Sequence, residues 1–165
     1  MPISAIKELV QADLDAMNQL IQEQLINQHP LVLDMTKYLY SGGGKQLRPM
    51  IVFLAAHACD YNGHQHLELA ALIELFHTAT LFHDDVVDES KLRRGKKTAN
   101  LIWGNKATVL VGDYLYTLHI RLLLSLKNFA LLELMNQVTH RIGHGELDQL
   151  MNRHRHDLSI SDSLK

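Results

Sequence analysis

His77-Thr78-Ala79-Thr80-Leu81-Phe82-His83-Asp84-Asp85-Val86-Val87-Asp88 is the segment on which the fold turns. It closes a long apolar stretch that starts at His66, and its period is helical, which predicts one helix over residues 65 to 88. On that helix Asp84 and Asp88 stand at i and i+4, so their carboxylates share a face. Like charges so placed repel, and a fold tolerates them when a cation bridges the pair. An all-oxygen donor set with open positions suits Mg²⁺, which keeps waters and takes substrate phosphates as further ligands. Asp85 points away from that face and is expected behind the ligands. A solvated helix end with three acids is the plain alternative.

The neighbouring segments weigh against that alternative. Leu92-Arg93-Arg94-Gly95-Lys96-Lys97 follows within a few residues. Acids and then bases on one short connection suit a metal-diphosphate: the metal takes the acids and guanidinium forks take the free oxygens. Upstream, Gly42-Gly43-Gly44-Lys45-Gln46-Leu47-Arg48-Pro49 places flexible backbone and two cations before a helix, as an anion-binding turn requires. It is not a P-loop, because neither Ser nor Thr follows the lysine and no strand precedes it. His77 lies two turns below Asp84 on nearly the same face, where a histidine is more often a satisfied core residue.

Working outward, residues 3 to 28 carry apolar groups every three or four positions and read as one amphipathic helix, closed at His29-Pro30. Leu31 to Tyr40, a segment from Pro49 to about Cys59, Lys106 to Leu126 and Phe129 to Met151 supply further helices. Asp88 to Thr98 reads as an exposed loop, and no segment alternates long enough for a sheet. Ser159 or Ser161 is placed to cap another helix, so the chain reads as one cut short at Lys165.

Composition narrows the function classes. Sixteen Lys+Arg against 18 Asp+Glu give a formal net charge of -2, which provides no general field for nucleic acid. The single cysteine, Cys59, excludes an internal disulfide and is expected to be a buried, inert thiol. No run is read as a membrane span of about 20 apolar residues, and the expected address is the cytoplasm.

Taken in order and with their spacing, Gly43 to Pro49, His77 to Asp88 and Leu92 to Gly95 resemble the trans-isoprenyl (polyprenyl) diphosphate synthase family. The resemblance implies an all-α, antiparallel helix bundle of the isoprenoid synthase type. Residues 1–165 would form the N-terminal part of a single domain whose later helices are missing. It also implies a prenyltransferase that joins isopentenyl diphosphate to an allylic diphosphate with Mg²⁺. Lys45, Arg48 and His77 match the isopentenyl diphosphate contacts, and Asp84 and Asp88 match the metal ligands of the DDxxD motif. Arg93 matches the contact to the allylic diphosphate, and Arg94 a further contact to isopentenyl diphosphate. Ala79 and Thr80 match the floor beneath the growing chain, and their small size implies a long product. Phe76 and Leu118 to Leu126 are expected to line or close a deeper tunnel, with core packing as the plain alternative. A homodimer through helices near residues 106 to 150 is implied as well.

Two features depart from the family pattern. Gln46 stands where a second basic residue is usual, and no second aspartate-rich motif follows Asp88. The isolated chain is therefore expected to be weakly active or inactive. Two other readings remain open: a non-catalytic half-bundle that pairs with a complete synthase, and a metal phosphohydrolase built on His83-Asp84. In the second, His140 and His144 at i and i+4 would be candidate ligands.

Overall fold

The computed structural model describes residues 3–152. Among them the order is α1 (Ile3–Leu9), α2 (Gln11–Ile26), α3 (Pro30–Ser41), α4 (Leu47–Ala58), α5 (Gln65–Val87), β1 (Leu92–Arg93), β2 (Lys96–Lys97), α6 (Ala99–Trp103), α7 (Asn105–Ser125) and α8 (Phe129–Asn152). The chain divides into two compact units, residues 1–127 and residues 128–165. In the second, α8 begins where the Asn128 side chain accepts a hydrogen bond from the Leu131 amide at 3.0 Å.

The first unit is built around α5. Ala70, Ala71, Leu72, Leu75, Ala79 and Phe82 on it are all 1% exposed or less, too widely spread around the helix to be covered from one side. Helices α2, α4 and α7 pack on it. The pairing with α7 is antiparallel. His119, late in α7, donates from Nδ1 to the Leu72 carbonyl at 2.9 Å, whereas His83, late in α5, meets the Val109 carbonyl early in α7 at 3.3 Å. Gly112 allows this approach, since a Cβ there would stand 2.4 Å from His83 Nε2.

Several expectations need correction. The first helix is two, because Val10 leaves helical geometry (φ -122, ψ 19) and its side chain is buried instead. The stretch from Asp88 to Thr98 contains a two-stranded antiparallel hairpin that pairs Leu92 with Lys97 and Arg93 with Lys96. Arg94 and Gly95 turn it with φ 52 and 77, the positive pair that a tight primed turn requires. Strands of two residues are too short to produce an alternating pattern. Cys59 is exposed, not buried, because it caps the end of α4. Helix α7 is long and apolar enough by length and composition to cross a membrane, contrary to the expectation that no run is. In this fold Val111, Leu115, Leu118 and Leu122 on α7 are buried. The expected caps at Ser159 and Ser161 lie outside the described residues.

Candidate active site

Helix α4 begins at Leu47, after Gln46 turns the chain in the left-handed region (φ 47). Gln46 is held there by a hydrogen bond from its Nε2 to Asn18 Oδ1 at 2.8 Å. This turn brings Gly44, Lys45 and Arg48 towards the middle of α5. The hairpin brings Arg93 and Arg94 from the other side. It is pinned to the end of α3 by Tyr38 Oη, which donates to the Lys97 carbonyl at 2.8 Å, and by Lys96 Nζ, which donates to the Ser41 carbonyl at 2.9 Å.

Between these segments lies a cleft of about 1130 Å³. Lys45, Arg48, His77, Arg93 and Arg94 all line it, five residues that span half a hundred positions of sequence. Lys37, Lys96 and Lys97 also reach it, and among the described residues the only acids on its wall are Glu74 and Asp85. Seven basic side chains against two acids focus a positive field in a cleft walled elsewhere by apolar residues such as Leu25, Leu33 and Leu81. Such a field favours small anions over cations.

The ionisable groups of the cleft respond to that field. Burial, and then the charges of Arg48, Arg93 and Arg94, push His77 down to about 4, so it is neutral at pH 7. Burial raises the Glu74 carboxyl above its usual range, opposed by Arg48 and Arg94. Part of Tyr40 is exposed, but its hydroxyl is enclosed within hydrogen-bonding distance of Thr78 Oγ1, 3.2 Å away. Burial pushes that phenol up to about 12, with the Thr78 bond opposing and Glu74 adding to the shift. Sequence reasoning missed Glu74 and Tyr40, which carry no motif and matter only through what the fold places beside them.

Asp84 and Asp88 do not line the cleft. They lie one turn apart at the C-terminal end of α5, where the Asp88 amide donates to the Asp84 carbonyl at 2.8 Å. A helix C-terminus is an unfavourable place for two carboxylates. No group of three or more His, Cys, Asp or Glu able to hold a metal occurs among the described residues. The donor set is therefore two exposed or half-exposed carboxylates, which fits a Mg²⁺ completed by water and substrate oxygens and does not fit a closed protein cage.

The third acid of the motif behaves differently. Asp85 is 1% exposed and forms an ion pair with Arg93. Ala79 is buried in the core, and Thr80 is half-buried with its hydroxyl donating to the His77 carbonyl at 2.9 Å; neither lines the cleft. Phe76 packs against the rings of Tyr116 and His119 at 6.1 and 5.2 Å. His83 is engaged with Asp113 at 3.3 Å, and His144 with Asp148 at 3.0 Å. The phosphohydrolase arrangement thus finds no cluster among the described residues.

The family model for Polyprenyl synthetase matches residues 29–165. The chain is 48% identical over 165 residues to octaprenyl diphosphate synthase of Escherichia coli (strain K12), covering 51% of that protein. It is 46% identical over 149 residues to the geranyl-diphosphate-specific all-trans-nonaprenyl-diphosphate synthase of Rhodobacter capsulatus, covering 46% of that one. Among solved structures, a polyprenyl synthase from Caulobacter crescentus CB15 complexed with calcium and isoprenyl diphosphate superposes with a TM-score of 0.92 at 37% identity. That match covers 98% of this chain and 49% of the other. The chain spans about half the length of the curated relatives it matches. Its helices form the N-terminal half of an isoprenoid synthase bundle, and the chain belongs to the polyprenyl synthetase family.

Proposed function

We propose that this chain carries the diphosphate-binding half of a trans-polyprenyl diphosphate synthase, an enzyme that condenses isopentenyl diphosphate with an allylic diphosphate to give a long all-trans product. The supporting observation is the convergence of Lys45, Arg48, His77, Arg93 and Arg94 on one cleft beside the Asp84–Asp88 turn. On this reading Lys45, Arg48 and Arg94 grip the isopentenyl diphosphate, and Arg93 faces the allylic diphosphate. His77, neutral at pH 7 before the anion arrives, donates a ring N–H to it.

Asp84 and Asp88 are the residues that would hold Mg²⁺. When bound, Mg²⁺ supplies charge neutralisation at a departing diphosphate. The cationic wall does the rest: preformed guanidinium groups stabilise the negative charge as it develops, and no protein nucleophile takes part. Ala79 and Thr80 mark the floor beneath the growing product. The small side chains leave room for a long one. The domain is completed by helices equivalent to the remainder of the relatives' length. Exposed Leu110 and Leu124 on α7 suit a homodimer interface.

The test is a prenyl-transfer assay with isopentenyl and farnesyl diphosphates plus Mg²⁺, run on this chain and on a chain lengthened to the relatives' full span. Turnover in the longer chain that Asp84→Ala abolishes is the expected result. Wild-type rates in the Asp84→Ala protein would remove that residue from the proposed role.

A further inference from the structure

Asp85 stands between two acids assigned to a metal, yet its surroundings are those of a different task. Its carboxylate is 1% exposed. Its Oδ1 accepts from Arg93 Nε at 3.1 Å and Nη2 at 2.9 Å, and its Oδ2 lies 3.2 Å from the same Nε. Both oxygens therefore face one edge of the Arg93 guanidinium. The backbone of Asp85 is fixed as well: its carbonyl accepts from Asn100 Nδ2 at 3.2 Å and from the Ser90 amide at 3.0 Å.

A guanidinium has five N–H donors in a plane. Asp85 occupies the Nε–Nη2 edge, which leaves one N–H on Nη2 and two on Nη1. Those on the far edge form a second parallel fork, and Arg93 lines the cleft. We propose that Asp85 is a positioning residue, not a metal ligand: it clamps one edge of Arg93 so that the opposite edge is presented, pre-aimed, to a diphosphate. The pairing offsets the cost of burying the carboxylate and restrains an arginine that otherwise has many rotamers. Lysine could not substitute, because an ammonium held by Asp85 has no opposite edge to offer. This proposal rests on the diphosphate reading given above.

The experiment is calorimetric titration of the chain with inorganic pyrophosphate at fixed and at varied Mg²⁺. Asp85→Asn should weaken pyrophosphate about ten-fold while leaving the Mg²⁺ concentration for half-saturation unchanged. Arg93→Ala should cost a similar factor, and the double variant should be no weaker than Arg93→Ala alone, since Asp85 acts through Arg93. Losses that add, or a raised Mg²⁺ requirement in Asp85→Asn, overturn the positioning role. If Asp85→Asn fails to fold, Arg93→Lys decides: an affinity like that of Arg93→Ala supports the proposal, and wild-type affinity overturns it. A wild-type chain that binds no pyrophosphate overturns the site reading and this proposal together, whereas wild-type binding with additive losses overturns this proposal alone.

Discussion

Arg94 lies so close over Gly44 that a Cβ on the glycine would stand 2.9 Å from Arg94 Nη1. The missing side chain is what lets the guanidinium rest on the turn before α4 and enter the cleft. Gly44→Ala should therefore push Arg94 aside without unfolding the protein, since the far end of a flexible side chain can move. Pyrophosphate affinity should fall roughly ten-fold, equivalent to about 1.4 kcal/mol, with the melting temperature nearly unchanged. Calorimetric titration and a thermal melt check both halves of that expectation.

His77 predicts an acid-sensitive fold. Its imidazole is pushed down to about 4 in the folded state from an ordinary value of 6.5. Between those values the unfolded chain binds a proton that the folded chain does not, so the contribution of this group to stability falls as pH drops across that window and levels off below about 4. His77→Gln should flatten the pH dependence of the urea midpoint between pH 6.5 and 4. An unchanged slope would place the acid sensitivity elsewhere.

A bound diphosphate should draw that proton back. Burial and then the arginine charges keep His77 neutral, and an anion beside it opposes the arginine part, so binding should be accompanied by proton uptake below pH 7. Titration with pyrophosphate in buffers of different ionisation enthalpy reads this directly, and the dependence on buffer should disappear in His77→Gln.

The hairpin is held to α3 by a bond from the Tyr38 hydroxyl to the Lys97 carbonyl. That contact is exposed, so Tyr38→Phe should cost at most about 1 kcal/mol of global stability. Its local effect should be larger: amide hydrogen exchange at residues 92 to 97 should quicken several-fold while α5 stays protected. Uniform exchange changes across the unit would contradict a local anchor.

Gly112 should be the least replaceable position on α7. Ala there would meet His83 Nε2 at 2.4 Å, in a place where both helices are already packed. Loss of about 1–3 kcal/mol in a denaturant titration is expected. Exchange of His83 for a smaller residue should recover part of it.

Much of this molecule can be read from its residues in order. The helical period of Leu72, Leu75, Ala79 and Phe82 suffices for the fold class, and the acid and base spacings point to Lys45, Arg48, Arg93 and Arg94 as anion contacts, whereas His77 joins them only through the family resemblance; the fold sets all five around one cleft. What the residues do not display is anything that depends on two segments meeting. Helical spacing sets Asp85 on another face than Asp84 and Asp88, but its partner appears only because Arg93 folds back onto it. Glu74 and Tyr40 belong to no pattern, and the hairpin is too short to have one. Cys59 sits in an apolar run, yet it is exposed where it caps the end of α4.

Arg93 and Arg94 are adjacent, yet one reaches back to α5 and the other across to the glycine turn. The reversal at Arg94 and Gly95 sends them apart, so the spacing from Asp85 to the turn is itself information. Removing a single residue from that connection would leave the charge of the chain's cationic pair untouched and exchange their addresses. Two relatives with identical composition here would then be unequal anion receptors, and length variation between these positions should be far rarer than substitution.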